Sequence, residues 1–277
     1  VGAEAGEERR LRLRGGGRQT PPRVDGRVPA GAAVALALAA AATLPAAAVV
    51  PLYFPGQVTV AVPMPATAVT TCDLEADGRP ELVVGFANGT VGLMRGVGGG
   101  QFLLVGALEL GGRVTGVSML REEPGQPLEA VVLTADPDRA VFVRTVAGSP
   151  PLAAFAQLDL DEDPGAIAAG PDGPGGALRC MVALPGADRW LLLGEGAPGE
   201  WSLLQEVPTG DRPVALARLD LDGDLACELI TADNGYLSQG LSIFHDDGAG
   251  RYELAQQLAL PAAPTALSAF PLSAVGA

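Results

Sequence analysis

A twelve-residue phrase recurs in this chain and limits its fold more than any other feature. Asp73-Leu74-Glu75-Ala76-Asp77-Gly78-Arg79-Pro80-Glu81-Leu82-Val83-Val84 matches Asp220-Leu221-Asp222-Gly223-Asp224-Leu225-Ala226-Cys227-Glu228-Leu229-Ile230-Thr231, and the two begin 147 residues apart, three periods of 49. Two intermediate copies should then lie near residues 121 and 170. They do: Glu129-Ala130-Val131-Val132-Leu133 starts 48 residues after Glu81, and Arg179-Cys180-Met181-Val182-Ala183 starts 49 before Glu228. A fixed period of this size marks stacked supersecondary units that cannot bury their apolar faces alone.

Each unit reads as four short strands. The first is small and apolar (66–71, 114–120, 165–169, 214–219), and the second is the Glu-Leu-Val-Val type just quoted. The third covers 90–94, 141–146, 189–193 and 241–244, and the fourth covers 101–110, 152–160, 201–207 and 252–260. Turn clusters such as Asn88-Gly89, Gly98-Gly99-Gly100 and Gly196-Ala197-Pro198-Gly199 separate them. The 38 Gly and 24 Pro fit so many turns, while 48% hydrophobic residues exclude wholesale disorder. Four antiparallel strands every 48 to 51 residues is the pattern of β-propeller blades, so the expected fold is all-β. A fifth first strand is expected near Thr265. Residues 57–62, Gln-Val-Thr-Val-Ala-Val, stand where a strand completing the last blade would sit. Four units and the start of a fifth fit part of a larger ring, or a smaller ring closed by that strand.

The repeat occupies residues 57–277. Ahead of it lie an Arg-rich head (1–29), an uncharged run rich in Ala, Val and Leu (30–50) and a short linker (51–56). A positive flank, an apolar run and small residues near Pro45-Ala46-Ala47-Ala48 form the pattern of an export signal. The run would also span a bilayer, so a membrane anchor is the other reading, with Pro45 against it. Either version places the repeat outside the cytoplasm.

Charge narrows the partners. All 18 basic residues are Arg, seven of them within the first 27 residues, which leaves 11 Arg against 28 acids from Val28 onward. A body this acidic repels phosphate backbones and anionic lipid, so nucleic acid is not an expected partner, and cations are attracted. Cys72, Cys180 and Cys227 have no C-x-x-C spacing, so neither zinc nor a redox pair is indicated.

The recurring phrase itself carries the chemistry. Acids at positions 1, 3 and 5 put three carboxylates inside one tight loop, a Glu at position 9 adds another, and the position-7 carbonyl can point the same way. Oxygen donors at that density suit Ca²⁺, which takes six to eight of them. In the first unit the ligands would be Asp73, Glu75, Asp77, the Arg79 carbonyl and Glu81. In the fourth they would be Asp220, Asp222, Asp224, the Ala226 carbonyl and Glu228.

These Asp-Leu-Asp-x-Asp loops, the Glu-Leu-Val-Val strand, the Asn88-Gly89-Thr90 turn and the phrases Asp211-Arg212-Pro213-Val214-Ala215 and Asp247-Gly248-Ala249-Gly250-Arg251-Tyr252 resemble the FG-GAP/VCBS repeat family. The resemblance runs over residues 57–277. It implies a propeller, commonly seven-bladed like the head of integrin α subunits, with Ca²⁺ between the first two strands of a blade. It also implies an extracytoplasmic setting and a role in adhesion, in protein or sugar binding, or as a scaffold attached to an enzyme.

Departures from the pattern matter as much. Leu225 replaces the usual Gly at position 6 of the fourth loop, and Glu75 replaces a shorter acid in the first. The second loop offers Arg121, Glu123, Gly125 and Glu129, and the third offers Pro171, Gly173 and Gly175 with Arg179 in place of the Glu; both are expected to be metal-free. Asp159-Leu160-Asp161-Glu162-Asp163 looks like another calcium loop but falls at a blade junction and is set aside. Asn88-Gly89-Thr90 matches a glycosylation pattern and reads better as a hairpin turn.

For catalysis the inventory is poor. His245 is the one histidine, and no Gly-x-Ser-x-Gly elbow or phosphate-binding Gly loop occurs. The expectation is a non-enzymatic binding propeller with a protein or carbohydrate ligand. The alternative is the propeller portion of a secreted enzyme, for example a polysaccharide-degrading one, whose catalytic domain lies outside this chain. Trp190 and Trp201 share one unit, so a lectin site built from aromatics repeated in every unit is not expected.

Overall fold

Among the described residues sixteen strands follow one another in four groups of four, and each group forms an open antiparallel sheet in simple sequence order. The computed structural model describes residues 62–268 apart from 75–76, 122–125, 148–150, 173–175, 237–238 and 248–249. The Arg-rich head, the apolar run, the linker and residues 57–61 of the candidate closing strand lie outside the described residues. So do residues 269–277.

Blade I holds β1 (Ala66–Cys72), β2 (Glu81–Phe86), β3 (Thr90–Gly98) and β4 (Gln101–Glu109). Blade II holds β5 (Arg113–Arg121), β6 (Glu129–Ala135), β7 (Arg139–Thr145) and β8 (Leu152–Asp159). Blade III holds β9 (Ala166–Pro171), β10 (Leu178–Leu184), β11 (Arg189–Glu195) and β12 (Trp201–Pro208), and blade IV holds β13 (Pro213–Leu219), β14 (Glu228–Asn234), β15 (Gln239–Asp246) and β16 (Tyr252–Ala259). Every strand expected in the four full repeats is present. Near Thr265 the described residues 263–268 have no regular secondary structure, and the remainder of that expected strand lies beyond the described residues.

The near-continuous apolar second strands follow from stacking. Side chains of a strand alternate between faces, and in blades II and III both faces of an inner strand are covered by neighbouring blades. In β6, Ala130 and Val132 pack toward Val83, Val91 and Leu93 of blade I, whereas Val131 and Leu133 pack toward blade III. In β10, Cys180, Val182 and Leu184 face blade II, while Met181 and Ala183 face Leu229 and Phe244 of blade IV. A slip of one residue would exchange the two faces, so register is tightly fixed. The fourth strands alternate exposed and half-covered positions, as β4 does, because nothing lies outside them.

Small residues in the first strands have a geometric cause. β1, β5, β9 and β13 contact one another in that order and form the crowded inner edge. A Cβ added at Gly116 of β5 would come 3.0 Å from Ile167 Cγ2 of β9, and one added at Gly85 would overlap Val114 of the next blade. The two Trp residues belong to interfaces between blades. Trp201 stacks on Phe142 with centroids 4.0 Å apart, and Trp190 meets Phe244 and Tyr252 edge-on at 5.4 and 5.5 Å. Cys72 and Cys180 are buried in strands, and burial pushes the Cys180 thiol well above its ordinary range.

Candidate metal centre

In every blade the link between the first two strands emerges on one rim. In blades I and IV that link is the acidic loop, residues 73–81 and 220–228, and the two are folded alike. The position-9 carboxylate accepts a hydrogen bond from the position-2 amide: Leu74 N–H donates to Glu81 Oε2 at 2.8 Å, and Leu221 N–H to Glu228 Oε2 at 2.6 Å. The position-5 carboxylate takes the position-7 amide, from Arg79 to Asp77 and from Ala226 to Asp224, both at 2.8 Å. Asp73 accepts from the amides of Asp77 and Gly78, and Asp220 from those of Gly223 and Leu225. The loop therefore wraps around the carboxylate at position 1.

Position 6 closes the wrap. Gly78 sits at φ 74° and Leu225 at φ 75°, both in the left-handed region where glycine is favoured. Leu225 holds the same turn at a steric cost of about 1–2 kcal/mol, as its side chain stands out in solvent.

In the fourth loop, one oxygen from each of Asp220, Asp222 and Asp224 lies within 4.8 Å of the others. A second set, Asp222, Glu228 and His245, converges equally closely. These carboxylates fit a hard divalent cation, with Glu228 buried beneath the more exposed aspartates. In the first loop Asp77 and Glu81 accept the corresponding amides, Glu81 being buried, but no three of its described acidic side chains converge as those of the fourth loop do, and Glu75 lies outside the described residues. Arg79 also approaches Asp77 at 3.8 Å.

His245, the one histidine, stands near the end of β15, but it is not alone there. Antiparallel pairing sets Leu229 opposite Phe244, which brings the next residue along β15 to Glu228. His245 Nδ1 lies 3.0 Å from Glu228 Oε1, and that hydrogen bond is the main cause of the imidazole's raised pKa. The two residues are 17 apart in sequence, and the strand register alone creates their contact.

The other two loops carry guanidinium groups instead. In blade II, Arg121 at position 1 lies 4.0 Å from Glu129 at position 9. In blade III, Arg179 takes position 9 and its Nε donates to Asp172 Oδ2 at 2.8 Å, while Arg218 reaches across from β13 to Asp172 Oδ1 at 2.6 Å. Burial lifts the Asp172 carboxyl above its ordinary range, against the downward pull of Arg218 and Arg179. Asp159 and Asp161, in the acidic stretch set aside at the blade junction, pair with Arg139 and Arg189. The Asn88-Gly89-Thr90 segment is the turn between β2 and β3, with Gly89 at φ 84°.

No family model matches the chain, and no curated protein matches it. Solved structures do. A BBS1N chain crystallised in complex with ARL6DN is similar at 15% identity and TM-score 0.53, over 73% of this chain and 54% of that one. A protein from Lactobacillus plantarum is similar at 16% identity and TM-score 0.54, over 71% of this chain and 56% of its own. Both share the stacked four-stranded blades. The chain is a β-propeller. This propeller spans just over half the length of each of those neighbours, and the likeness at such identity is one of fold.

Proposed function

We propose that this propeller is a non-enzymatic, extracytoplasmic binding module of the FG-GAP/VCBS type. Its first and fourth loops hold Ca²⁺ and stiffen the rim, and its task is protein or glycan binding, in adhesion or as a scaffold. The observation that carries the reading is the congruence of loops 73–81 and 220–228: the same three carboxylate positions take amides in both, and both turn through a left-handed sixth residue. Asp220, Asp222, Asp224, the Ala226 carbonyl and Glu228 would hold one ion; Asp73, Glu75, Asp77, the Arg79 carbonyl and Glu81 would hold the other. A bound cation would offset the repulsion among carboxylates crowded into each loop.

Thermal unfolding of the 277-residue chain with Ca²⁺ and with chelator tests this. A ligand at about 100 times its Kd adds about 2.7 kcal/mol to stability, so Ca²⁺ should raise Tm measurably. Asp73→Ala and Asp220→Ala should each remove part of that rise. An unchanged Tm sinks the calcium assignment. A larger response to Zn²⁺ that His245→Ala abolishes would transfer the fourth loop to a softer metal, since imidazole suits zinc better than calcium.

A further inference from the structure

Two donor triads meet at the fourth loop and share Asp222. Asp220, Asp222 and Asp224 form an all-oxygen set; Asp222, Glu228 and His245 form the other, with one oxygen or nitrogen from each lying within 4.8 Å of the rest. The second triad is not a property of the loop alone, since Glu228 opens β14 and His245 comes from β15. Glu228 is its floor, with a side chain 5% exposed, while the His245 ring is 44% exposed and Asp222 stands in solvent. Among the described residues no guanidinium lies within 4.0 Å of the Glu228 carboxylate, whereas Asp172 of blade III has two and Glu129 of blade II has one. A buried carboxylate calls for a cation, and here the group that meets it is an imidazole, which can also act as a metal ligand.

Comparison between blades singles this position out. Strand register sets Met94 opposite Leu82, Val143 opposite Ala130 and Leu193 opposite Cys180, just as Phe244 lies opposite Leu229. The next residue along each third strand is the counterpart of His245: Arg95, Arg144 and Gly194. A guanidinium stays protonated and cannot bind a metal ion, and glycine has no side chain. Blade IV alone therefore joins an acidic loop to a nitrogen donor, and that donor is the only histidine in the chain.

We propose that Asp222, Glu228 and His245 hold a divalent transition metal of the zinc class, at a second cation position beside the all-oxygen triad. Two donors about 2.1 Å from one ion stand about 3.0–3.4 Å apart across right-angled or tetrahedral corners. His245 Nδ1 and Glu228 Oε1 are 3.0 Å apart, so they already span such an edge. A metal taking it displaces the proton that joins the two atoms, which passes to solvent. Imidazole favours zinc over calcium, and three protein ligands leave further positions on the open rim for water. The position goes beyond the calcium reading and needs no calcium in either loop.

The test is calorimetric titration of the 277-residue chain with Zn²⁺ in calcium-free buffer, followed in parallel by the imidazole resonances, which belong to His245 alone. A single equivalent should bind and move those resonances. His245→Ala and Asp222→Asn should each weaken zinc by about tenfold or more, the asparagine keeping the side-chain oxygen that accepts the Asp224 amide. Glu109→Gln, an exposed acid on β4, should change nothing. Zinc heat with unmoved imidazole resonances overturns the proposal, as does undiminished binding in His245→Ala or no heat at all. Loss of binding in Cys227→Ser overturns it too, because the half-buried thiol beside Glu228 would then be the ligand. A calcium-dependent rise in Tm without zinc binding sinks this position alone; zinc binding without that rise sinks the calcium loops alone.

Discussion

Leu225 is a β-turn residue with the wrong side chain for its backbone. Replacing it with glycine removes a left-handed penalty of about 1–2 kcal/mol and adds roughly 0.5–1 kcal/mol of unfolded-chain entropy. The exposed leucine contributes little packing, so Leu225→Gly should raise Tm by about 1–4 °C in a differential scan of the chain. The sequence showed this residue as a departure from its loop pattern, and the structure shows that the turn is kept regardless. Asp233 was not legible at all. It is buried and accepts hydrogen bonds from Thr209, Thr231 and Ser242 at 3.0, 2.9 and 2.6 Å. Thr231 is its neighbour on β14, but Thr209 comes from the link ahead of β13 and Ser242 from β15, and only strand pairing brings those two to it. Asp233→Ala removes a shared acceptor from three hydroxyls and should cost about 1–3 kcal/mol, measured by urea unfolding.

At the scale of strands, alternation and turn chemistry made the blades readable. The Glu-Leu-Val-Val runs were recognisable as second strands because both their faces are buried, and Asn88-Gly89 marked its hairpin because Gly89 needs a positive φ. What each face touches was not readable, since that depends on the stacking of blades. Gly85 illustrates the point: in sequence it is a glycine in a strand, and in the structure it is the place where Val114 of blade II fits. Gly85→Val should destabilise by about 1–3 kcal/mol through overpacking, with a falling denaturant midpoint as the readout. Trp201→Ala acts on the interface between blades II and III. Loss of its stack on Phe142 should cost about 3–5 kcal/mol by the same measurement.

Across the whole molecule, separate apolar clusters hold blade I to II, II to III and III to IV, so stability is a sum of neighbouring contacts rather than the property of one shared core. Hydrogen exchange offers a direct check. With chelator, amides of β1, β2, β13 and β14 should exchange faster than with Ca²⁺, while those of β6 and β10 should be unaffected. That contrast follows from the loop chemistry: blades I and IV close theirs around carboxylates, and blades II and III close theirs with Arg121 and Arg179. A positive charge carried on a side chain is made with the chain itself. It has no dissociation constant, cannot be chelated and draws on nothing in the surrounding medium. On the proposed calcium reading, blades II and III would need no ion to balance these loops, and blades I and IV would have one to acquire.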